Sequence, residues 1–125
     1  MALHRAAFVA PLMLLAVVGA AALMPADGIR APFVLLVSMP IAEELIFRAG
    51  LQEALLRRGL RPLTSSVLTA LAFGAAHAVL RSPWLGLAVL PASFLLSAVY
   101  LRWRRVGPCV AAHAAMNLAW LLATS

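Results

Sequence analysis

Five long apolar runs, separated by short segments of arginine, glycine and proline, limit what this chain can fold into more than any other feature. About 17–25 apolar residues cross the hydrocarbon of a bilayer as a helix. Backbone N–H and C=O groups find no water there, so an isolated apolar run satisfies them within a helix. The runs cover residues 6–24, 31–56, 63–80, 84–101 and 107–123. Arg5 and Ala20-Ala21-Ala22 give the first run some likeness to a secretory signal. Its apolar core exceeds the ~7–15 residues of a signal, so it is expected to stay as a transmembrane helix.

Composition agrees with this pattern. The chain is 65% hydrophobic and 11% charged, far from an ordinary soluble domain. The expected fold is all-α: a polytopic membrane helix bundle of about five transmembrane helices. It forms a single membrane domain over residues 1–125, with an N-terminal helix and loop in 1–30 and a core in 31–125. The net charge of +6 comes from ten arginines and four acids, without lysine. In a soluble protein that balance would suggest nucleic acid. Here the arginines lie between apolar runs, where they set topology, so lipid and not nucleic acid is the expected partner. With five crossings and the N-terminus inside, seven arginines (Arg5, Arg57, Arg58, Arg61, Arg102, Arg104, Arg105) face the cytoplasm, and only Arg30 and Arg81 face outward. That bias predicts N-in and C-out. Arginine-only basic usage suggests a GC-rich bacterial source and an inner-membrane location. Cys109, the single cysteine, leaves no internal disulfide and reads as a small apolar filler.

Ionisable residues inside such runs are costly and are functional candidates by default. The second run carries Pro40-Ile41-Ala42-Glu43-Glu44-Leu45-Ile46-Phe47-Arg48. Glu44 and Arg48 stand i,i+4 with the acid first, the favoured order for an ion pair. Adjacent helical residues diverge by about 100°, so Glu43 is expected to face a different neighbour from Glu44. It has no local partner, which makes it the candidate proton acceptor and donor. The third run carries Phe73-Gly74-Ala75-Ala76-His77, and the fifth His113-Ala114-Ala115-Met116-Asn117, each an i,i+4 pair on one helical face. One carboxylate, two imidazoles and an amide suit hydrolysis, with a base for water and donors for an oxyanion. Zinc on Glu43, His77 and His113 is possible but not favoured, since the helical HExxH signature is absent. No serine lies in a GxSxG context. At ~1.5 Å rise per residue, Glu43 falls mid-span, His77 near one end of its run and His113 near the start of its own. Convergence therefore requires staggered helices or shifted boundaries.

These motifs together resemble the CPBP family of intramembrane endopeptidases, also called the CAAX-protease and bacteriocin-processing or Abi family. The family pattern is EExxxR, then FxxxH, then HxxxN on successive helices, met here by Glu43-Glu44 with Arg48, Phe73 with His77, and His113 with Asn117. The resemblance covers roughly residues 40–120. Members of that family are described both as metalloproteases and as metal-independent glutamic proteases, and the expectation here is the latter, without a cofactor, with zinc as the alternative. Glu43 and His77 would activate water, His113 and Asn117 would stabilise the oxyanion, and Glu44, Arg48 and Phe73 would support the site. Substrates would be membrane-associated proteins or peptides. The chain is shorter than most members, which suggests a narrow substrate, a partner subunit or an oligomer. The alternatives are a non-catalytic membrane protein of the same fold, such as an immunity or assembly factor, and an ion or proton carrier.

Overall fold

The computed structural model describes residues 30–125, entirely as helices and short turns. The expected first transmembrane helix, residues 6–24, lies outside the described residues. Helix α1 is one continuous rod over residues 30–57, because every junction within it keeps right-handed helical dihedrals. Its hydrogen bonding changes twice. Val34–Ser38 and Leu45–Gln52 are π-helical, and the amides of Met39 and Glu53 each reach a carbonyl five residues back, on Val34 and Arg48. π-Turns within helices occur frequently at functional sites. The first lies directly before Pro40, whose ring would collide with the carbonyl four residues earlier in a regular α-helix.

Gly59 closes α1 with φ of 83°. Its amide bonds to Leu56 O at 3.0 Å and that of Leu60 to Leu55 O at 3.2 Å, the paired bonds of a Schellman cap. Pro62 then opens α2 (Pro62–Leu80) at the position where a missing N–H costs nothing. Ser82 caps α3 (Pro83–Ala88), its hydroxyl accepting from the Leu85 amide. Val89 separates α3 from α4 (Leu90–Trp103), so the expected fourth span is two helices laid end to end. Arg104, in the left-handed region at φ 49°, turns the chain into α5 (Val106–Thr124).

The bundle has a polar interior and an apolar exterior. Fully or nearly buried side chains include Glu44, Arg48, Gln52, Ser65, Thr69, Ser93, Ser97 and His113. Leu63, Leu71, Val79, Leu80, Trp84, Leu87, Trp120 and Leu122 are exposed instead. Water would penalise that arrangement, whereas hydrocarbon favours it. Among the described residues three helical stretches, Pro62–Leu80, Pro83–Trp103 and Val106–Thr124, are long and apolar enough to cross a membrane. The protein is an integral membrane protein. The other described helix, α1, carries Glu43, Glu44, Arg48 and Glu53 within its length.

Two glycines bring α2 and α3 together. A Cβ at Gly74 would stand 2.8 Å from Gly86 O, and one at Gly86 would stand 2.6 Å from Gly74 O. Small residues of this kind let membrane helices approach backbone to backbone. Their contact keeps α3 against the half of α2 that carries His77.

Candidate active site

The site is assembled from the middle of α1, the far end of α2 and the first half of α5. A buried seam between α1 and α4 comes first, because it fixes how those helices are staggered. Arg48 donates from Nη2 to Ser93 O at 3.0 Å and to Ser93 Oγ at 3.2 Å. One turn on, Gln52 Nε2 donates to Ser97 O at 3.2 Å. At the end of the seam the Tyr100 hydroxyl donates to Glu53 at 2.8 Å, and Arg104 grips both oxygens of the same carboxylate at 2.9 and 2.8 Å. Partner numbers rise together along both helices, so α1 and α4 run parallel.

This register reconciles the three depths. Glu43 is ten residues from Glu53 along α1, and His113 is nine from Arg104, so each site residue stands ~14–15 Å above the latch at helical rise. His77 stands 15 residues above Pro62 and Glu43 14 above Arg57, again matching levels. The helices are staggered, as convergence required, and α5 begins at Val106.

Three of the expected residues meet. His77 Nε2 is 3.9 Å from Glu43 Oε1, and His113 Nε2 is 3.4 Å from Glu43 Oε2. Each imidazole is fixed through its other nitrogen. His77 Nδ1 lies 3.0 Å from Phe73 O, a carbonyl that can only accept, so Nδ1 carries a proton and the neutral ring presents its lone pair at Nε2. His113 Nδ1 lies 2.8 Å from Glu44 Oε1. Glu44 Oε2 in turn sits 3.2 Å from Arg48 Nε, an ion pair with both side chains fully buried. That N–H is not aimed at the carboxylate, so the contact is one of charge more than of hydrogen bonding.

The two glutamates therefore share a neighbour, contrary to the expectation from their 100° divergence. One imidazole reaches both, because its two nitrogens lie on opposite edges of the ring and bridge the angular gap. The carboxylates differ in cover. Glu43 and His77 keep 15% and 19% of their side-chain surface exposed, while Glu44 and Arg48 keep none. Phe73 is the wedge between them. Its ring lies 4.4 Å from His77, 6.0 Å from His113 and 5.0 Å from Phe47, with the Arg48 guanidinium 5.6 Å from its centroid.

Asn117 is engaged elsewhere. Its Nδ2 donates to Leu35 O at 2.9 Å, one turn beyond His113 along α5. Among the described residues no group of three His, Cys, Asp or Glu side chains is arranged to hold a metal ion. Cys109 is fully buried, its thiol directed at the carbonyls of Leu96 and Arg105. The sequence alone assigned no site role to Gln52, Glu53, Ser93, Ser97, Tyr100 or Arg104. The available signal was the i,i+4 spacing of Arg48 with Gln52 and of Ser93 with Ser97.

Comparison with known proteins adds one finding. Residues 25–119 match the family model described as Type II CAAX prenyl endopeptidase Rce1-like. The chain belongs to this family. No curated protein and no solved structure matches it. The family is one of proteases, and the matched stretch includes Glu43, His77 and His113.

Proposed function

We propose that this family member is an active intramembrane endopeptidase that hydrolyses a peptide bond of a membrane-associated protein or peptide. The observation that carries the reading is the convergence of Glu43, His77 and His113 from three helices, with the tautomer of His77 fixed by the Phe73 carbonyl. Water enters at the partly exposed Glu43–His77 pair. Glu43 takes a proton from it, and the His77 Nε2 lone pair accepts a second hydrogen bond and orients the oxygen. The oxygen attacks the scissile carbonyl, and Glu43 returns the proton to the leaving amine. His113, held by Glu44 and charge-balanced through Arg48, stands where it can stabilise the developing oxyanion once protonated.

The reaction as drawn uses no metal, so millimolar chelator should leave cleavage unchanged. Loss of activity on chelation, restored by zinc, would replace this mechanism. Glu43→Gln and His77→Ala should each abolish cleavage while the folded protein remains in the membrane. Candidate substrates are a prenylated C-terminal tail, a leader peptide and a membrane-anchored sorting tag. We further propose that α1 also crosses the bilayer, with a first span before it, and that the arginine-rich end faces the cytoplasm. Arg57, Arg58, Arg61, Arg102, Arg104 and Arg105 all belong to the end where α1 and α4 finish and α2 and α5 begin, which supports N-in topology in a bacterial inner membrane. The proposed partners are lipid, the substrate, and a second copy or subunit.

A further inference from the structure

The hydrogen bond from Asn117 to Leu35 falls at a place where α1 is short of a donor. The first π-turn sets a register in which each amide reaches back five residues, as Met39 does to Val34. The next bond in that register would run from residue 40 to Leu35. Residue 40 is proline and has no N–H. The Leu35 carbonyl would then be left without a partner in a low-dielectric setting, where an unmet backbone group is expensive. Asn117 Nδ2 occupies that position at 2.9 Å. Pro40 is itself fully buried, and the Asn117–Leu35 bond is partly buried beside it.

We propose that Asn117 is a positioning residue: its side-chain amide replaces the backbone N–H that Pro40 lacks, and so holds α5, with His113, in register on α1. Two anchors one turn apart on α5 then fix both its rotation and its height. Asn117 ties to the Leu35 carbonyl, and His113 bridges Glu44 and Glu43. The amide acts on the reaction through His113 and does not touch substrate. The peptidase reading enters only through the activity measurement below.

The pairing of an absent N–H with a borrowed one defines the test. Four full-length proteins, native, Pro40→Ala, Asn117→Ala and the double variant, are purified into lipid nanodiscs. Each is measured for thermal unfolding and for kcat and KM on a cleaved membrane-anchored peptide. Asn117→Ala should lower the unfolding midpoint and reduce kcat about tenfold, the order expected for one stranded buried carbonyl. Pro40→Ala restores a backbone donor, so the double variant should recover the midpoint and come within about twofold of the kcat of Pro40→Ala alone. An amide that donated directly to the oxyanion could not be replaced from residue 40. A double variant as slow as Asn117→Ala therefore overturns the proposal, as does one whose midpoint stays low. If Asn117→Ala does not fold, a folded and active double variant supports the proposal, and one that also fails to fold overturns it. If the native protein cleaves none of the peptides offered, the peptidase reading fails. The midpoints then still decide whether Asn117 acts for Pro40.

Discussion

Glu43 and Glu44 are consecutive in sequence, yet they belong to two different regions. One is the sealed seam where α1 lies along α4. There Arg48, Gln52, Ser93 and Ser97 are fully buried and the bonds run to backbone carbonyls. The other is the partly open face where α1 meets α2, with Glu43 and His77 reaching the surface. His113 lies across the boundary, one nitrogen on each glutamate. A single step along a helix changes which neighbour covers a side chain, and that cover separates a group able to meet water from one locked in a charge pair.

Matched substitutions should break the comparison most sharply. Glu43→Gln is expected to lower cleavage by ~10²–10⁴-fold, the range for losing a general base. Its unfolding should shift by less than about 1 kcal/mol, since the amide fits the same half-open space. Glu44→Gln should do the reverse first, destabilising by ~3–5 kcal/mol because Arg48 keeps a buried charge without its partner. Thermal unfolding and peptide cleavage on the same preparations separate the two. Equal losses of stability in both variants would erase the distinction between seam and face.

Replacing the whole pair sharpens the same point. Glu44→Gln with Arg48→Met should be less destabilising than the two single changes added, because neither charge is stranded. Cleavage should nevertheless stay low, as His113 loses the carboxylate that orients its ring. Additive stability losses would mean that the two residues act independently.

Much of this division could be anticipated from local spacing, and some of it could not. The i,i+4 spacings of Glu44 with Arg48 and of Phe73 with His77 already implied an ion pair and a shared face. The boundaries of α2 and α5 fall within one residue of the apolar runs, because Arg61-Pro62 and Arg81 bound the first and Arg104-Arg105 precede the second. The stagger was not legible. It depends on Arg48 meeting Ser93 and Gln52 meeting Ser97, each across 45 residues, and no period within one helix encodes such a match. The π-turns were hidden for a related reason: Pro40 announces a disturbed helix without saying which carbonyl is freed. Asn117, expected at the reacting carbonyl from its place in a motif, is found one turn away on Leu35.

A smaller effect is expected where α2 and α3 cross. Gly74→Ala or Gly86→Ala puts a Cβ against the other glycine's carbonyl, at 2.8 and 2.6 Å, and a backbone atom cannot swing aside as a side chain can. A loss of ~1–3 kcal/mol follows from overpacking. Cleavage should fall with it, since α2 must tilt away from α1 and carry His77 off Glu43. Wild-type stability in both variants would mean that the two helices separate freely and that the face tolerates movement the seam does not.

The smallest effect is expected at the arginine-rich end. Arg104 and Arg57 are 50% and 60% exposed while they pair with Glu53, so solvent screens both contacts. Exposed pairs of this kind contribute ~0–1 kcal/mol. Arg57→Gln should change neither unfolding nor cleavage. Arg104→Gln should cost slightly more, because its guanidinium spans both Glu53 oxygens and the residue also turns α4 into α5. Cleavage should fall no more than a few-fold, since Arg48 on Ser93 and Gln52 on Ser97 still hold the register from within the seam. If Arg104→Gln instead abolishes cleavage with the fold intact, the height of His113 is set at the membrane surface by the Glu53 latch. The buried seam would then keep α1 against α4 without determining where Glu43, His77 and His113 meet.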